Sequence, residues 1–177
     1  KANEMRRGKT FLGVLNLWVM LILPALAIAQ TPWYLSLSDQ TEVSVLTASP
    51  GEDVYSLFGH TAIRIYDPEQ LPDVDWIFNY GTFSFTDDFY VNFMKGRLEY
   101  QLTAEPFYNF HQVYLHSGRG MYSQTLDLTP EEVRAVAEYL AWNLRPENST
   151  YSYEFFRDNC ASRVITVLSE ALGESLK

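Results

Sequence analysis

Cysteine is almost missing from this 177-residue chain; there is one, Cys160. A lone cysteine excludes an intramolecular disulfide and any multi-cysteine zinc site. Charged residues are also sparse, at 20%, and the balance is acidic, with 13 Lys and Arg against 22 Asp and Glu. A formal charge of −9 argues against electrostatic binding of nucleic acid. Only three histidines are present. They lack HExxH spacing, and His111 and His116 lie on different faces of any helix containing both, so no metal or other cofactor is expected. Long hydrophobic runs are scarce too. The longest, Phe11 to Leu23, is short for a membrane-spanning helix.

That run is preceded by Arg6, Arg7 and Lys9 and followed by Pro24 and Ala27-Ile28-Ala29. A positive segment, an apolar segment and a small-x-small site make an export signal. Residues 1–29 are expected to be a signal peptide cleaved before Gln30, with an uncleaved anchor as the alternative. Residues 30–177 then form the folded, exported domain. The leader carries a net +3 (Lys1, Arg6, Arg7 and Lys9 against Glu4), which leaves −12 on the rest. Such a domain is not drawn by charge to anionic headgroups, so any membrane contact must be apolar.

What is abundant is apolar and aromatic material, at 47% and 15%, enough for a real core. Glu42–Ala48, His60–Tyr66, Asp75–Tyr80, Arg97–Thr103 and Gly120–Leu128 read as strands, and Tyr151–Phe156 as an extended segment. Gly81 closes the third of these. Helices are expected over Val54–Phe58, Phe89–Lys95, Pro106–His116, from Thr129-Pro130-Glu131-Glu132 to Arg145, and after Asn159. The pattern is α+β, with four to six strands and four main helices.

Cys160 opens the last of those helices. A helix N-terminus favours anions, lowers a thiol pKa and offers N–H groups to an oxyanion. In an oxidising compartment an unpaired cysteine is buried or has a task. The two readings are a nucleophile and a buried structural thiol. His60 follows Gly59 and begins a strand, which would fix an imidazole as a general base; a core histidine is the alternative. His111 and His116 read as packing and surface residues. Asn79, before Tyr80-Gly81, can accept from the imidazole as in a Cys-His-Asn arrangement, or serve only as a turn residue. Arg157 and Asp158 read as capping and solvation. The aromatics around these residues must mostly be core, and the excess can line an acyl-chain groove or face a membrane.

SxxTASPGEDVYSLFGHTAIRIYDP (from Ser44 to Pro68), FNYGTFSF (Phe78–Phe85), LTPEE (Leu128–Glu132), WNLRPEN (Trp142–Asn148) and FFRDNCASR (Phe155–Arg163) together resemble the N-terminal periplasmic domain of Lnb, a bacterial lipoprotein N-acyltransferase family. The resemblance spans about residues 42–172. It implies a permuted papain-like (NlpC/P60-related) thiol domain, with an antiparallel sheet packed against helices and a Cys-His dyad. The family cysteine falls on Cys160 and the family histidine on His60; Asn79 is not carried over from the family. The implied activity moves a fatty acyl chain from a phospholipid, through a cysteine thioester, to the N-terminal amine of diacylglyceryl-cysteine lipoproteins. The implied place is the periplasm, at the outer face of the inner membrane. Family members continue into membrane-embedded helices, so 30–177 is expected to be a fragment of a longer protein or a stand-alone domain. A periplasmic cysteine peptidase or amidase using the same dyad is the alternative, and a non-catalytic binding module the second alternative.

Overall fold

The computed structural model describes residues 32–84, 88–95 and 98–173. The expected signal peptide and its cleavage site lie outside the described residues. Among the described residues, six strands form one antiparallel sheet: β1 (Glu42–Ala48), β2 (His60–Tyr66), β3 (Asp75–Phe83), β4 (Leu98–Pro106), β5 (Met121–Thr125) and β6 (Thr150–Tyr153), in the order β5-β1-β2-β3-β4-β6. The helices are α1 (Phe89–Met94), α2 (Phe107–His116), α3 (Pro130–Asn143), α4 (Pro146–Ser149) and α5 (Cys160–Leu172). The architecture is α+β, an antiparallel sheet covered by helices.

Alternation along the strands sends successive side chains to opposite faces. One face carries Val43, Ile63, Ile65, Phe78, Leu98, Tyr100 and Leu102 into the main core. It is covered by Val133, Val136, Ala137 and Leu140 of α3 and by Val164, Val167 and Leu172 of α5. Each fully buried aliphatic side chain contributes about 1.5–3 kcal/mol. The other face carries Leu46, Ala48, Ala62 and Ile77 beneath Phe110 and Tyr114 of α2.

Local chemistry explains where the two long helices begin. The Thr129 side chain accepts from Glu132 N–H while Glu132 reaches back to the Thr129 N–H at 2.8 Å. Asn159 Oδ1 accepts from the N–H groups of Ala161 and Ser162, both at 3.0 Å, and Ser162 Oγ accepts from Asn159 N–H. These reciprocal caps satisfy donors that a helix start otherwise leaves unpaired.

Several boundaries differ from the sequence expectation. Val54–Ser56 is a single 3-10 turn rather than a helix to Phe58. Gly59 follows at φ +78, where a Cβ would sit 2.6 Å from Ala48 C=O, so glycine alone fits. Gly81 does not close β3; the strand continues to Phe83 past a register shift between Asn79 and Thr82. β4 runs on to Pro106, since an edge of the β3 ladder remains to pair. β5 stops at Thr125, where its pairing with β1 ends. β6 ends at Tyr153, and Glu154–Asp158 turns back on itself instead of extending to Phe156.

Candidate functional site

Cys160 is the first residue of α5, and the Asn159 cap fixes that position. Asp158 and Arg163 strap the entry loop to the helix through a two-pronged ion pair. The Arg163 guanidinium also lies 4.2 Å over the Tyr151 ring. His60 begins β2 opposite Ala48, so its side chain shares the face of Ala48 and Ala62, and its ring lies 6.2 Å from that of Phe110. Both Cys160 and His60 are half-buried. They line one cleft of about 790 Å³, at the end of the sheet where β2 and β3 part. Phe58, Phe83, Phe93, Tyr100, Tyr153 and Phe155 make much of its wall. No hydrogen bond joins the His60 ring to the Cys160 thiol among the described residues; the structure brings the two to one cleft.

Asn79 holds the ring. Its Oδ1 lies 2.7 Å from His60 Nε2 and accepts from Gly81 N–H, also at 2.7 Å. The second contact identifies this atom as the oxygen, because the Gly81 N–H can only donate. Nε2 therefore carries the proton, and the lone pair of the neutral imidazole sits on Nδ1. Asn79 is thus both an orienting partner and the acceptor in a local Asx-type turn. The Asn79 amide also reaches the Glu105 carboxyl on β4, a contact that favours the carboxylate, although burial is the larger influence and raises the Glu105 pKa. A glycine at 81 is a steric necessity: a Cβ there would stand 2.3 Å from His60 Cε1.

Burial pushes the His60 pKa down to about 4; the Asn79 hydrogen bond works against this, and the positive charge of Arg119 adds to it. Arg119 is held by Ser49 C=O at 2.8 Å and lies over the Tyr114 ring. Burial also raises the Cys160 pKa above its ordinary value, outweighing the N–H groups of Thr61, Ala161 and Cys160 that favour the thiolate. This corrects the expectation that the helix start lowers the thiol pKa, because desolvation of a charge exceeds the pull of the helix end here. At neutral pH the pair is a neutral thiol and a neutral imidazole. Alkylation of Cys160 by iodoacetamide is accordingly expected to be slow at pH 7, to climb steadily with pH and to be still climbing at the ordinary thiol value of 9.0. A fast plateau between about pH 5 and 7, the signature of a thiolate–imidazolium pair, would contradict this assignment.

His111 packs its ring against Phe107 at 5.4 Å on α2, and exposed His116 donates from Nδ1 to Gln112 C=O at 2.7 Å. Neither lines the cleft. Among the described residues, no group of three His, Cys, Asp or Glu side chains is arranged to hold a metal ion. Gly81, expected only as the end of a strand, and Glu105, Arg119 and Thr61 join the site unannounced by the sequence. A glycine inside an apolar strand was the available signal for close approach; the other three had none.

The fold and cleft define an α+β domain with a helix-start thiol and an amide-tethered imidazole at the open end of an antiparallel sheet. The chain belongs to the family of the Lnb N-terminal periplasmic domain, whose family model matches residues 29–177. No curated protein and no solved structure matched the chain. Among the described residues no helix is long and apolar enough to cross a membrane.

Proposed function

We propose that this domain is a cysteine-dependent lipoprotein N-acyltransferase with a permuted papain-like arrangement. The observation that carries the reading is one aromatic-walled cleft lined by Cys160 at a helix start and by His60 tethered to Asn79. His60 Nδ1 takes the thiol proton as Sγ attacks the ester carbonyl of a phospholipid. The lysophospholipid leaves with a proton returned by His60, and Cys160 holds the acyl chain as a thioester. The α-amine of a diacylglyceryl-cysteine lipoprotein then attacks, forming the amide and restoring the thiol. An aromatic wall suits both tasks of such a site, holding an acyl chain and keeping water from the thioester.

The rim supports work at the outer face of the inner membrane. Phe58 of the cleft wall is 71% exposed, and Met94 and Phe156, next in the chain to the cleft-lining Phe93 and Phe155, are 79% and 90% exposed. Phe58 packs on Phe155 at 4.4 Å, and Phe155 on Phe156 at 4.8 Å. Exposed apolar side chains around a cleft give an acidic domain the contact with lipid that its charge does not provide.

The test is complementation. In cells lacking their own N-acyltransferase, the parent gene should yield N-acylated lipoproteins by mass spectrometry, and Cys160→Ala and His60→Ala should yield none. Acylation by both variants would refute the mechanism. Cleavage of cell-wall peptides, without acyl transfer, would favour the peptidase or amidase alternative. Absence of both activities in the parent would favour a binding module.

A further inference from the structure

The direction of every N–H along β2 can be worked out from the ladder. In an antiparallel pair, successive residues point their N–H and C=O groups to alternate sides. Val43 C=O accepts from Leu126 N–H at 2.9 Å, and Ser49 N–H donates to Gly120 C=O at 2.8 Å, so the odd-numbered residues of β1 face β5. Their partners on β2 are Thr61, Ile63 and Ile65. These must face away from β1, toward β3. Asp67 continues the series and donates to Val74 C=O at 2.9 Å.

Ile65 pairs with Trp76 and Ile63 with Phe78. The next rung would join Thr61 to Tyr80, and among the described residues it is not formed. Two features release it. β3 shifts register against β4 between Asn79 and Thr82. The Tyr80 C=O, which the rung would use, instead accepts from the Tyr151 hydroxyl at 2.5 Å. Thr61 N–H is left without a ladder partner; Thr61 lines the cleft with Cys160, and its N–H favours the thiolate, as do the N–H groups of Cys160 and Ala161. Ala161 N–H is already committed to Asn159 Oδ1 at 3.0 Å. Two backbone donors therefore remain available at the thiol, one from the start of α5 and one from the opened sheet.

We propose that Thr61 N–H and Cys160 N–H together form the oxyanion hole of this site, with Thr61 as the second donor. The proposal rests on the reading of Cys160 as an acyl-accepting nucleophile. When the Sγ–C bond forms, the thiol proton goes to His60 Nδ1 and the carbonyl π pair moves onto the oxygen. That oxygen lies two bonds from sulfur, within reach of donors that favour negative charge at the thiol. Collapse restores the C=O, breaks the ester C–O bond and passes the His60 proton to the departing alcohol. Donors fixed in the backbone need no reorganisation as the charge develops, which is what makes such groups effective. The parted strands are then a functional opening: a continued ladder would have consumed this N–H.

The test deletes one hydrogen atom. Replacing Thr61 in the full chain by its α-hydroxy acid turns the N–H into an ester oxygen and keeps the side chain. Acylation of Cys160 by a p-nitrophenyl acyl ester should fall by about 10²–10³-fold. Alkylation of Cys160 by iodoacetamide, which develops no oxyanion and registers only the thiolate support lost with this N–H, should fall far less, by about threefold. The same replacement at Ile63, whose N–H serves the ladder, controls for lost sheet stability and should leave acylation within the same threefold margin. Unchanged acylation at Thr61 would overturn the proposal, and so would equal losses in acylation and alkylation. If the parent chain itself forms no acyl-enzyme, the nucleophile reading fails first and this proposal fails with it.

Discussion

Gly81→Ala is expected to disable the site while leaving the fold intact. The new methyl carbon would stand 2.3 Å from His60 Cε1 and 3.0 Å from both ring nitrogens. Real Cβ contacts are not that short, so the ring must move. Its movement breaks the Nε2 bond to Asn79 Oδ1 and turns the Nδ1 lone pair away from the cleft. Misplacing a reacting group by about 1 Å costs about 10²-fold, and loss of the tethered tautomer adds to it, so acyl transfer should fall by about 10³-fold. Backbone strain does not complicate the result, because Gly81 does not have a positive φ. Gly120→Ala is the matched control: its Cβ would meet only Ser49 Oγ, at an ordinary 3.7 Å. Acyl-transfer rates and thermal melts on both variants check the expectation. Parent-like acyl transfer in Gly81→Ala would show that the ring position is not needed.

The largest stability effect is expected at Asp67, far from the cleft. Its residue is 0% exposed, which is rare for a carboxylate. The oxygens accept from Ser38 N–H at 2.8 Å, Ser38 Oγ at 2.7 Å, Glu69 N–H at 3.0 Å and Gln70 Nε2 at 2.8 Å. Burial pushes the Asp67 pKa up, but these donors outweigh it and hold the carboxyl below its ordinary range. Asp67→Ala leaves several donors facing a void and should cost about 3–5 kcal/mol. Asp67→Asn keeps the shape but points an amide N–H₂ at donors, and should cost about 2–3 kcal/mol. Urea titration at pH 7 measures both. The sign with pH follows from the lowered pKa. The stabilisation is complete above the ordinary carboxylate value of 3.8 and is lost as pH falls through the folded-state value. Asp67→Ala should therefore show less acid sensitivity than the parent below pH 4. A loss under about 1 kcal/mol for Asp67→Ala would mean that the Ser38 and Gln70 segments hold without it.

Much of this domain is legible without coordinates, and the reason is local. Thr129 with Glu132, and Asn159 before Cys160, announce helix starts because the capping groups sit three residues or fewer from their partners. Glu42–Ala48 and His60–Tyr66 announce strands because side-chain alternation records which face is buried. A single cysteine at a cap and a histidine after a glycine can be picked out on the same grounds.

What the tertiary structure decided depends on residues far apart in the chain. Tyr151 takes the carbonyl of Tyr80, 71 positions away, and β3 shifts its register on β4. Neither event leaves a periodic trace, yet together they open the sheet beside Cys160 and free Thr61 N–H. The thiol pKa also reversed its expected direction, because a helix start is a local feature while the burial that outweighs it is assembled by β2, α5 and the aromatic wall. The sequence by itself determined which elements form and which residues carry reactive groups, since those follow from near-neighbour chemistry. Tertiary packing alone determined the tautomer of His60, the glycine behind its ring and the protonation state of Cys160, since each is set by atoms that meet only when the strands pair and the helices close over them.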